Sequence, residues 1–232
     1  TKTYTLKDGV PYHGDKKNIQ PGYWKFKNVD GSEDNQITES DKTIIGNALP
    51  DFYGGINNTF NWKDFDLSIF FTYSYGAEVL NATKLTNTKT ALTNKNVLSV
   101  ADEAHRWVTI NANGELITNP EELAAVNRGK TIAHFGDNGS NNTYIHSWAI
   151  EDASYLKLSN ITLGYTFPKK VINKIGLTKL RLYATGNNLF TWTPYTGFDP
   201  EVSTMSSALT PGVDFGAYPR SRSFVFGVNV AF

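Results

Sequence analysis

The stretch FDLSIFFTYSY, residues 65–75, decides the fold class. Apolar side chains recur at every second position from Phe65 to Tyr73, and polar residues such as Ser68 and Thr72 lie between them. Alternation with a period of two is typical of a β-strand that has one apolar and one polar face. The run covers about ten residues, which is the length of a tilted membrane-spanning strand. It therefore predicts a strand that borders either a protein core or lipid.

The same alternation recurs along the chain. An aromatic run that alternates with polar residues precedes the first stretch across the dipeptide Lys63-Asp64, which predicts a tight hairpin over residues 50–75. Two later runs within residues 153–192 are joined by a short lysine-rich segment, which predicts a second hairpin with one helical turn in its connection. Residues 218–232 are predicted to form a last strand.

The last strand, SFVFGVNVAF, has the clearest alternation. We predict that its apolar face contacts lipid and that its other face lines a lumen. The predicted lumen-facing residues are Ser223, Val225, Gly227, Asn229 and Ala231. The predicted lipid-facing residues are Phe224, Phe226, Val228, Val230 and Phe232.

The combination of these strands predicts the architecture. Each strand alone fits a half-buried strand of a soluble sandwich equally well, but several long strands with aromatic residues near their ends favour a barrel in lipid. No apolar run reaches the roughly 18 residues of a membrane helix. The predicted fold class is all-β: about six strands, the C-terminal part of a large antiparallel transmembrane β-barrel, with long extracellular loops that carry short helices.

The connections between the predicted strands are short at one end and long at the other. Outer-membrane barrels place short turns in the periplasm and long loops outside the cell. Residues 1–49, 76–152 and 193–217 are therefore predicted to be extracellular loops.

The loop 76–152 contains signs of local structure. Asn119-Pro120 with a glutamate at the third helical position predicts a helix that is closed near Gly129. Ser99 is predicted to start a second helix that reaches Trp107, and residues 138–143, rich in Gly, Asn and Ser, are predicted to be a mobile loop.

Composition and charge exclude several classes of function. The 232 residues carry 22 basic and 22 acidic side chains, and this zero net charge argues against a nucleic-acid-binding surface. The absence of cysteine excludes disulfides, thiolate metal sites and cysteine nucleophiles. The four histidines are scattered and form no metalloprotease or hydrolase motif. We therefore predict that the chain is not an enzyme.

Four blocks of sequence resemble the C-terminal part of SusC/RagA-class TonB-dependent outer-membrane transporters of Bacteroidetes. The blocks cover about two fifths of the chain, in the order and with the spacing of that family. They are TIIGNALPDFYGGINNTFNWKDFDLSIFFTYSYG from Thr43, SYLKLSNITLGYTFP from Ser154, LRLYATGNNLFTWTPYTGFDPEV from Leu180, and AYPRSRSFVFGVNVAF from Ala217.

This resemblance implies a function and partners for the complete protein. It implies a plugged barrel of about 22 strands that imports an oligosaccharide or a peptide across the outer membrane. It also implies a SusD-like lipoprotein on the extracellular side and energy from TonB through an N-terminal region that this chain lacks. The bilayer would contact the wall, and nucleic acid is not an expected partner. Two alternatives stay open at this point: a soluble carbohydrate-binding β-sandwich and a passive porin.

One acidic loop has the spacing of a calcium site. Residues 30–41 place oxygen-bearing side chains at positions 1, 3, 5, 9 and 12 of a twelve-residue loop, with a backbone carbonyl at position 7. Oxygen-only ligands favour calcium over magnesium, and an acidic solvated turn is the alternative. The predicted ligands are Asp30, Ser32, Asp34, Gln36, Thr38 and Asp41.

Aromatic side chains in the loops are weak candidates for ligand binding. Trp107, Tyr144 and Trp148 are placed where they could stack on sugar rings. Trp192 and Tyr195 fit better the aromatic girdle of a membrane interface.

Overall fold

The computed structural model divides the chain into two compact units. The sheet unit comprises residues 46–81 and 150–232, and the loop unit comprises residues 1–45 and 82–149. The residues that the structure describes are 4–88, 96–134, 144–201, 203–204 and 210–232.

The sheet unit contains eight strands. In chain order they are β1 (Phe52–Trp62), β2 (Phe65–Tyr75), β3 (Glu78–Asn81), β4 (Ile150–Asp152), β5 (Tyr155–Thr166), β6 (Lys179–Trp192), β7 (Val213–Asp214) and β8 (Ser223–Ala231). Five long strands form one antiparallel sheet in the order β1-β2-β5-β6-β8, and this sheet is not closed. The three short strands form a second sheet in the order β4-β3-β7.

Tight connections join the long strands at one end of the large sheet. Lys63 takes a positive φ of 53° in the two-residue turn between β1 and β2. The connection from β5 to β6 contains helix α3 (Lys169–Ile172) and one 3₁₀ turn, and Gly176 at φ 75° ends it. Such left-handed backbone is easiest for glycine, so Gly176 lets the chain reverse without strain.

A β-bulge at Ser159 changes which residues of β5 share a face. Phe70 pairs with Asn160 and the next residue, Phe71, pairs with Leu158, so Ser159 is the extra residue. Without the bulge, continued alternation would place Lys157 on the same face as Ile161. The bulge instead brings Leu158 onto the apolar face and turns Lys157 to the polar face.

The small sheet encloses the buried core of the sheet unit. Val79, Ala153 and Tyr195 form a buried cluster. The Tyr195 hydroxyl donates to Asp214 Oδ2 at 2.6 Å. Thr196 donates from its backbone N–H to Glu151 Oε2 at 2.9 Å, so both residues tie the segment after β6 to the small sheet.

The loop unit is held together by short helices and long-range backbone hydrogen bonds. Its α-helices are α1 (Ala82–Asn87) and α2 (Pro120–Val126). The Asn119 side chain caps α2 by accepting from two backbone N–H groups of the first turn. Arg106 is buried and donates from Nη2 to the Ala101 carbonyl at 2.7 Å. In the part of the chain that the structure describes, no helix is long and apolar enough to cross a membrane.

The structure confirms the predicted strands and the helix after Asn119, and it differs in two details. Five long strands occur within the described ranges, where about six were predicted. The helix predicted from Ser99 to Trp107 is wrong: a 3₁₀ turn, Ser99–Ala101, is followed by a turn in which Asp102 Oδ1 accepts from the His105 N–H at 3.0 Å. The mobile loop predicted at 138–143 lies outside the described residues.

Candidate functional site

One face of the large sheet is apolar across all five strands. The register places Phe60, Leu67, Leu163, Ala184 and Phe226 in one continuous row, each opposite the next. Leu163 is 50% exposed and Phe226 is 79% exposed, so the described residues leave this face uncovered. A β-sandwich would cover such a face with a second sheet. The soluble sandwich is therefore the poorer alternative for this chain.

Aromatic side chains form a row at each end of the apolar face. At the end with the short turns, the centroids of Phe65 and Tyr165 are 4.7 Å apart and Trp62 stacks on Phe65 at 6.3 Å. At the other end, Phe52 stacks on Tyr75 at 5.1 Å, and Phe190 lies 6.1 Å from Trp192.

The two aromatic rows are separated by about the thickness of the apolar part of a bilayer. Phe65 and Tyr75 lie ten steps apart on β2. Ten steps of about 3.3 Å, tilted by about 40°, give a height of about 25 Å, the height of the apolar band on outer-membrane barrels. Aromatic residues prefer both membrane interfaces because their rings are apolar and their edges or tips are polar.

The opposite face is polar and is linked by side-chain hydrogen bonds between neighbouring strands. Thr162 and Thr185 share a hydrogen bond of 2.8 Å between their hydroxyls. Asn160 donates to Asn187 Oδ1 at 2.8 Å, and Asn187 donates in turn to Ser223 Oγ at 3.0 Å. Uncharged polar chains of this kind fit a face in contact with water or with a polar solute.

A bidentate ion pair crosses the polar face near the short turns. Arg181 on β6 donates to both carboxylate oxygens of Asp66 on β2, at 2.9 Å and 2.5 Å. The two strands are not neighbours, because β5 lies between them. Gly164 is the residue of β5 beneath the pair, and a Cβ atom there would clash with both charged groups. Glycine at this position therefore makes the pair possible.

A buried cation holds the long connection after β6 against the same polar face. Lys157 Nζ, on a side chain 3% exposed, contacts Glu201 and lies 3.6 Å from Asp199 Oδ1. The Tyr155 hydroxyl also donates to Glu201, at 2.8 Å. A buried cation needs such partners, and removing one of them leaves an uncompensated charge.

The comparisons with known proteins agree with a sheet that has one apolar and one polar face. The chain is 34% identical to TonB-dependent receptor P3 of Formosa agariphila over 217 residues, which are 91% of this chain and 19% of the relative. It is 29% identical to TonB-dependent receptor SusC of Bacteroides thetaiotaomicron over 206 residues, which are 88% of this chain and 17% of that protein. The chain is a homologue of SusC-class TonB-dependent receptors.

The fold comparison gives the same result. A chain of the RagAB peptide transporter superposes with a TM-score of 0.63 and 23% identity, over 85% of this chain and 19% of that chain. The chain thus spans about a fifth of the length of the relatives it matches. No family model matches it. The relatives are receptors and transporters by name, which agrees with the prediction that the chain is not an enzyme.

The aromatic side chains predicted as ligand-binding or girdle residues have different environments. Trp107 and Trp148 both line a cleft of about 590 Å³ in the loop unit. Tyr144 does not line that cleft in the described structure, and its ring instead packs edge-on against His13 at 5.7 Å. Trp192 belongs to the aromatic row at the end away from the short turns, and its place in a membrane girdle stays a prediction.

Tyr195 corrects the girdle prediction. Its side chain is only 5% exposed, and it lies in the core rather than at an interface. Burial raises the pKa of the Tyr195 hydroxyl, and the hydrogen bond to Asp214 raises it further. The phenol therefore stays protonated and acts as a structural donor.

The acidic loop 30–41 is folded around the Asp41 carboxylate. Asp41 Oδ1 accepts from the Val29 N–H at 2.7 Å and Oδ2 accepts from the Thr38 N–H at 2.8 Å. These N–H donors, that of Thr38 first, lower the pKa of Asp41. Asp30 and Asp34 each accept from the backbone N–H two residues further on.

The metal prediction for this loop is not decided by this geometry. Among the residues that the structure describes, no group of three or more His, Asp or Glu side chains is placed to hold a metal ion. Asp41 uses both of its oxygens for backbone N–H groups, so the hydrogen bonds account for its burial without a cation. Calcium binding by the loop stays a prediction.

Sequence reasoning missed the aromatic cluster beside the cleft and the Lys157 ion pairs. The cluster joins His13, Trp24 and Phe26 to His146 and Trp148, from two segments more than a hundred residues apart in the chain. No motif links such distant residues. The only hint was the number of aromatic residues in each segment.

Proposed function

We propose that the chain is part of the wall of an outer-membrane, TonB-dependent importer. The apolar face contacts lipid, the aromatic rows lie at the two interfaces, and the polar face lines the lumen. One observation carries this proposal: a single open sheet has an exposed apolar face about as tall as a bilayer core and a hydrogen-bonded polar face behind it. The edges of the sheet, β1 and β8, would pair with strands in the remaining part of the protein.

The cargo proposed for the complete protein is an oligosaccharide or a peptide. The names of the relatives support a TonB-dependent receptor, and the fold of the RagAB peptide transporter supports an importer wall. A SusD-like lipoprotein would cover the extracellular side, and TonB would supply energy through the part of the protein outside this chain.

Uptake in cells tests the proposal. A deletion strain is complemented with the complete gene, and import of labelled oligosaccharides and peptides is measured with and without an intact TonB system. We expect import of one of these classes to require both the receptor and TonB. Import that continues without TonB would support a passive porin instead, and recovery of the folded protein in buffer without detergent would rule out a membrane wall.

A further inference from the structure

We propose that the short-turn end of the sheet unit binds the phosphate groups of anionic phospholipids through a group of exposed lysines. This group, which we call the lysine rim, consists of Lys63 in the β1–β2 turn and Lys169, Lys170 and Lys174 in the β5–β6 connection. The inference rests on the proposed function, because it needs the apolar face to meet lipid, and it adds a specific ligand at one edge of that face. The whole rim lies within the sheet unit.

The charges of the sheet unit are divided between its two ends. Its described residues carry nine basic and nine acidic side chains, so the unit as a whole is neutral. The short-turn end holds the four rim lysines, Lys179 and Arg181 against Asp64 and Asp66, a net charge of +4. The end with the long connections therefore has the opposite net charge, −4. Because Asp66 is paired with Arg181, the excess of positive charge belongs to the lysines.

Backbone hydrogen bonds hold the lysine rim along one edge of the large sheet. The Thr166 N–H donates to the Asp64 carbonyl at 2.8 Å, which joins the β1–β2 turn to the end of β5. Ile172 is only 1% exposed, and its carbonyl accepts from the Leu177 N–H at 3.2 Å, so it anchors the β5–β6 connection. The rim is therefore a fixed surface.

Lys63 places one cation of the rim beside the aromatic row of the apolar face. Its Nζ lies 5.0 Å from the centroid of the Trp62 ring. Trp62 is 67% exposed, and it is the member of the row that stacks on Phe65. In the proposed wall this ammonium group lies at the level of the lipid headgroups, which extend roughly 5–8 Å beyond the hydrocarbon on each side.

The β5–β6 connection presents apolar side chains next to its lysines. Val171 is 56% exposed and Ile175 is 67% exposed, and each directly follows a lysine of the rim. Uncovered apolar side chains beside cations are typical of segments that lie in the interface of an anionic bilayer. Such an interface buries the apolar side chains and also neutralises the charges, whereas an acidic soluble partner would only neutralise the charges.

The phosphate of a phospholipid fits the chemistry of the rim. A lysine ammonium is a compact charge on a flexible stem, so it can reach a phosphate oxygen without a fixed orientation. Clusters of about four to eight basic residues at a membrane surface bind anionic lipids, and salt weakens this binding. The rim reaches that number, and residues 167–179 include no acidic residue that would offset it. The ligand is therefore the anionic headgroup of a phospholipid in the leaflet nearest the short turns.

The test measures the lipid selectivity of the complete receptor in phosphatidylcholine vesicles. Spin-labelled phosphatidylglycerol and spin-labelled phosphatidylcholine are added in turn, and the fraction of each that is immobilised at the protein surface gives the ratio of their association constants. The rim variant is Lys169→Gln/Lys170→Gln/Lys174→Gln. The control variant, Lys7→Gln/Lys17→Gln/Lys27→Gln, removes the same charge from exposed lysines of the loop unit.

The expected result separates a lipid site from general electrostatic attraction. The wild type favours phosphatidylglycerol by about threefold or more at low salt, and this preference is lost at about 1 M salt, where charges are screened. The rim variant loses the preference at low salt, and the control variant keeps it. Both variants keep the thermal unfolding midpoint of the wild type, because lysine and glutamine have similar helix propensities. No preference in the wild type, an unchanged preference in the rim variant, or an equal loss in the control variant would overturn the proposal.

Failure of the lysine rim can be told apart from failure of the importer. TonB-dependent import by a receptor that has no preference for phosphatidylglycerol would remove the rim and leave the proposed function intact. A receptor that favours phosphatidylglycerol but gives no TonB-dependent import would keep the rim and remove the proposed function.

Discussion

Phe224→Arg on the last strand is the sharpest single perturbation of the proposed wall. Phe224 lies on the apolar face, opposite Gly186 of β6, and is 67% exposed in the open sheet. In the complete receptor we propose that this surface meets hydrocarbon. An arginine placed there must either carry its charge into lipid or move the strand.

The depth of Phe224 sets the magnitude. The register places Phe224 level with Ile69 of β2, which is one residue from the midpoint between Phe65 and Tyr75. One step of about 3.4 Å, tilted by about 40°, places it about 2.5 Å from the centre of the apolar band, where arginine costs about 2–4 kcal/mol. Val225 is two residues from the middle and lies on the polar face, opposite Thr185. We expect Val225→Arg to change stability by less than about 0.5 kcal/mol.

The assay is urea unfolding of the complete receptor reconstituted in phospholipid vesicles, followed by tryptophan fluorescence. The two variants introduce the same side chain into the same strand at similar depth. The difference between their free energies of unfolding therefore reports which face of the sheet each residue lies on. Equal losses in the two variants, or a larger loss for Val225→Arg, would refute the assignment of the two faces.

Three further predictions concern the polar face and the acidic loop. In Gly164→Ala, the coupling energy between Asp66 and Arg181, measured by a double-mutant cycle, should fall towards zero because the new methyl group displaces the ion pair. Unchanged coupling would show that β5 can move to make room for the methyl group. Because the pKa of Asp41 is lowered in the folded state, its carboxylate stabilises the fold fully above the ordinary aspartate pKa, and this stabilisation is lost as the pH falls through the folded pKa. Asp41→Asn should therefore speed hydrogen exchange of the backbone amides bonded to Asp41 at pH 7 but not at acid pH, with Asp34→Asn as the control. Equal effects at both pH values would contradict this prediction. If the acidic loop binds calcium as the sequence predicts, the ion should slow amide exchange there with a midpoint on the order of 10⁻⁴–10⁻³ M, and unchanged exchange at about 10 mM would exclude the site.

The strands could be predicted because a half-apolar strand leaves a direct trace in the sequence. The alternation in residues 65–75 matches β2 residue for residue, and the dipeptide Lys63-Asp64 is the turn that joins it to β1. The cap of α2 was also readable, because Asn119 and Pro120 act within one turn of helix. These features depend on neighbours in the chain.

The features that could not be predicted depend on distant partners. The bulge at Ser159 breaks the alternation of β5, and its position is set by pairing with β2 and β6. The burial of Lys157 could not be predicted from its neighbours in the sequence, because its partner Glu201 lies beyond the whole of β6. The spacing of residues 30–41 suits a calcium loop, but the same oxygens also suit backbone N–H groups, and Asp41 uses both of its own in that way.

The most direct test of the wall is a spin-label scan of β8 in the complete receptor in vesicles. Single-cysteine variants carry the label, and its collision rates with oxygen, which concentrates in hydrocarbon, and with a water-soluble nickel chelate are measured at each position. We predict high oxygen and low nickel collision rates on the apolar face and the reverse on the polar face, with a period of two residues. Equal access of both reagents to both faces, or the opposite phase, would contradict it. The apolar-face positions are Phe224, Phe226, Val228 and Val230, and the polar-face positions are Ser223, Val225, Asn229 and Ala231.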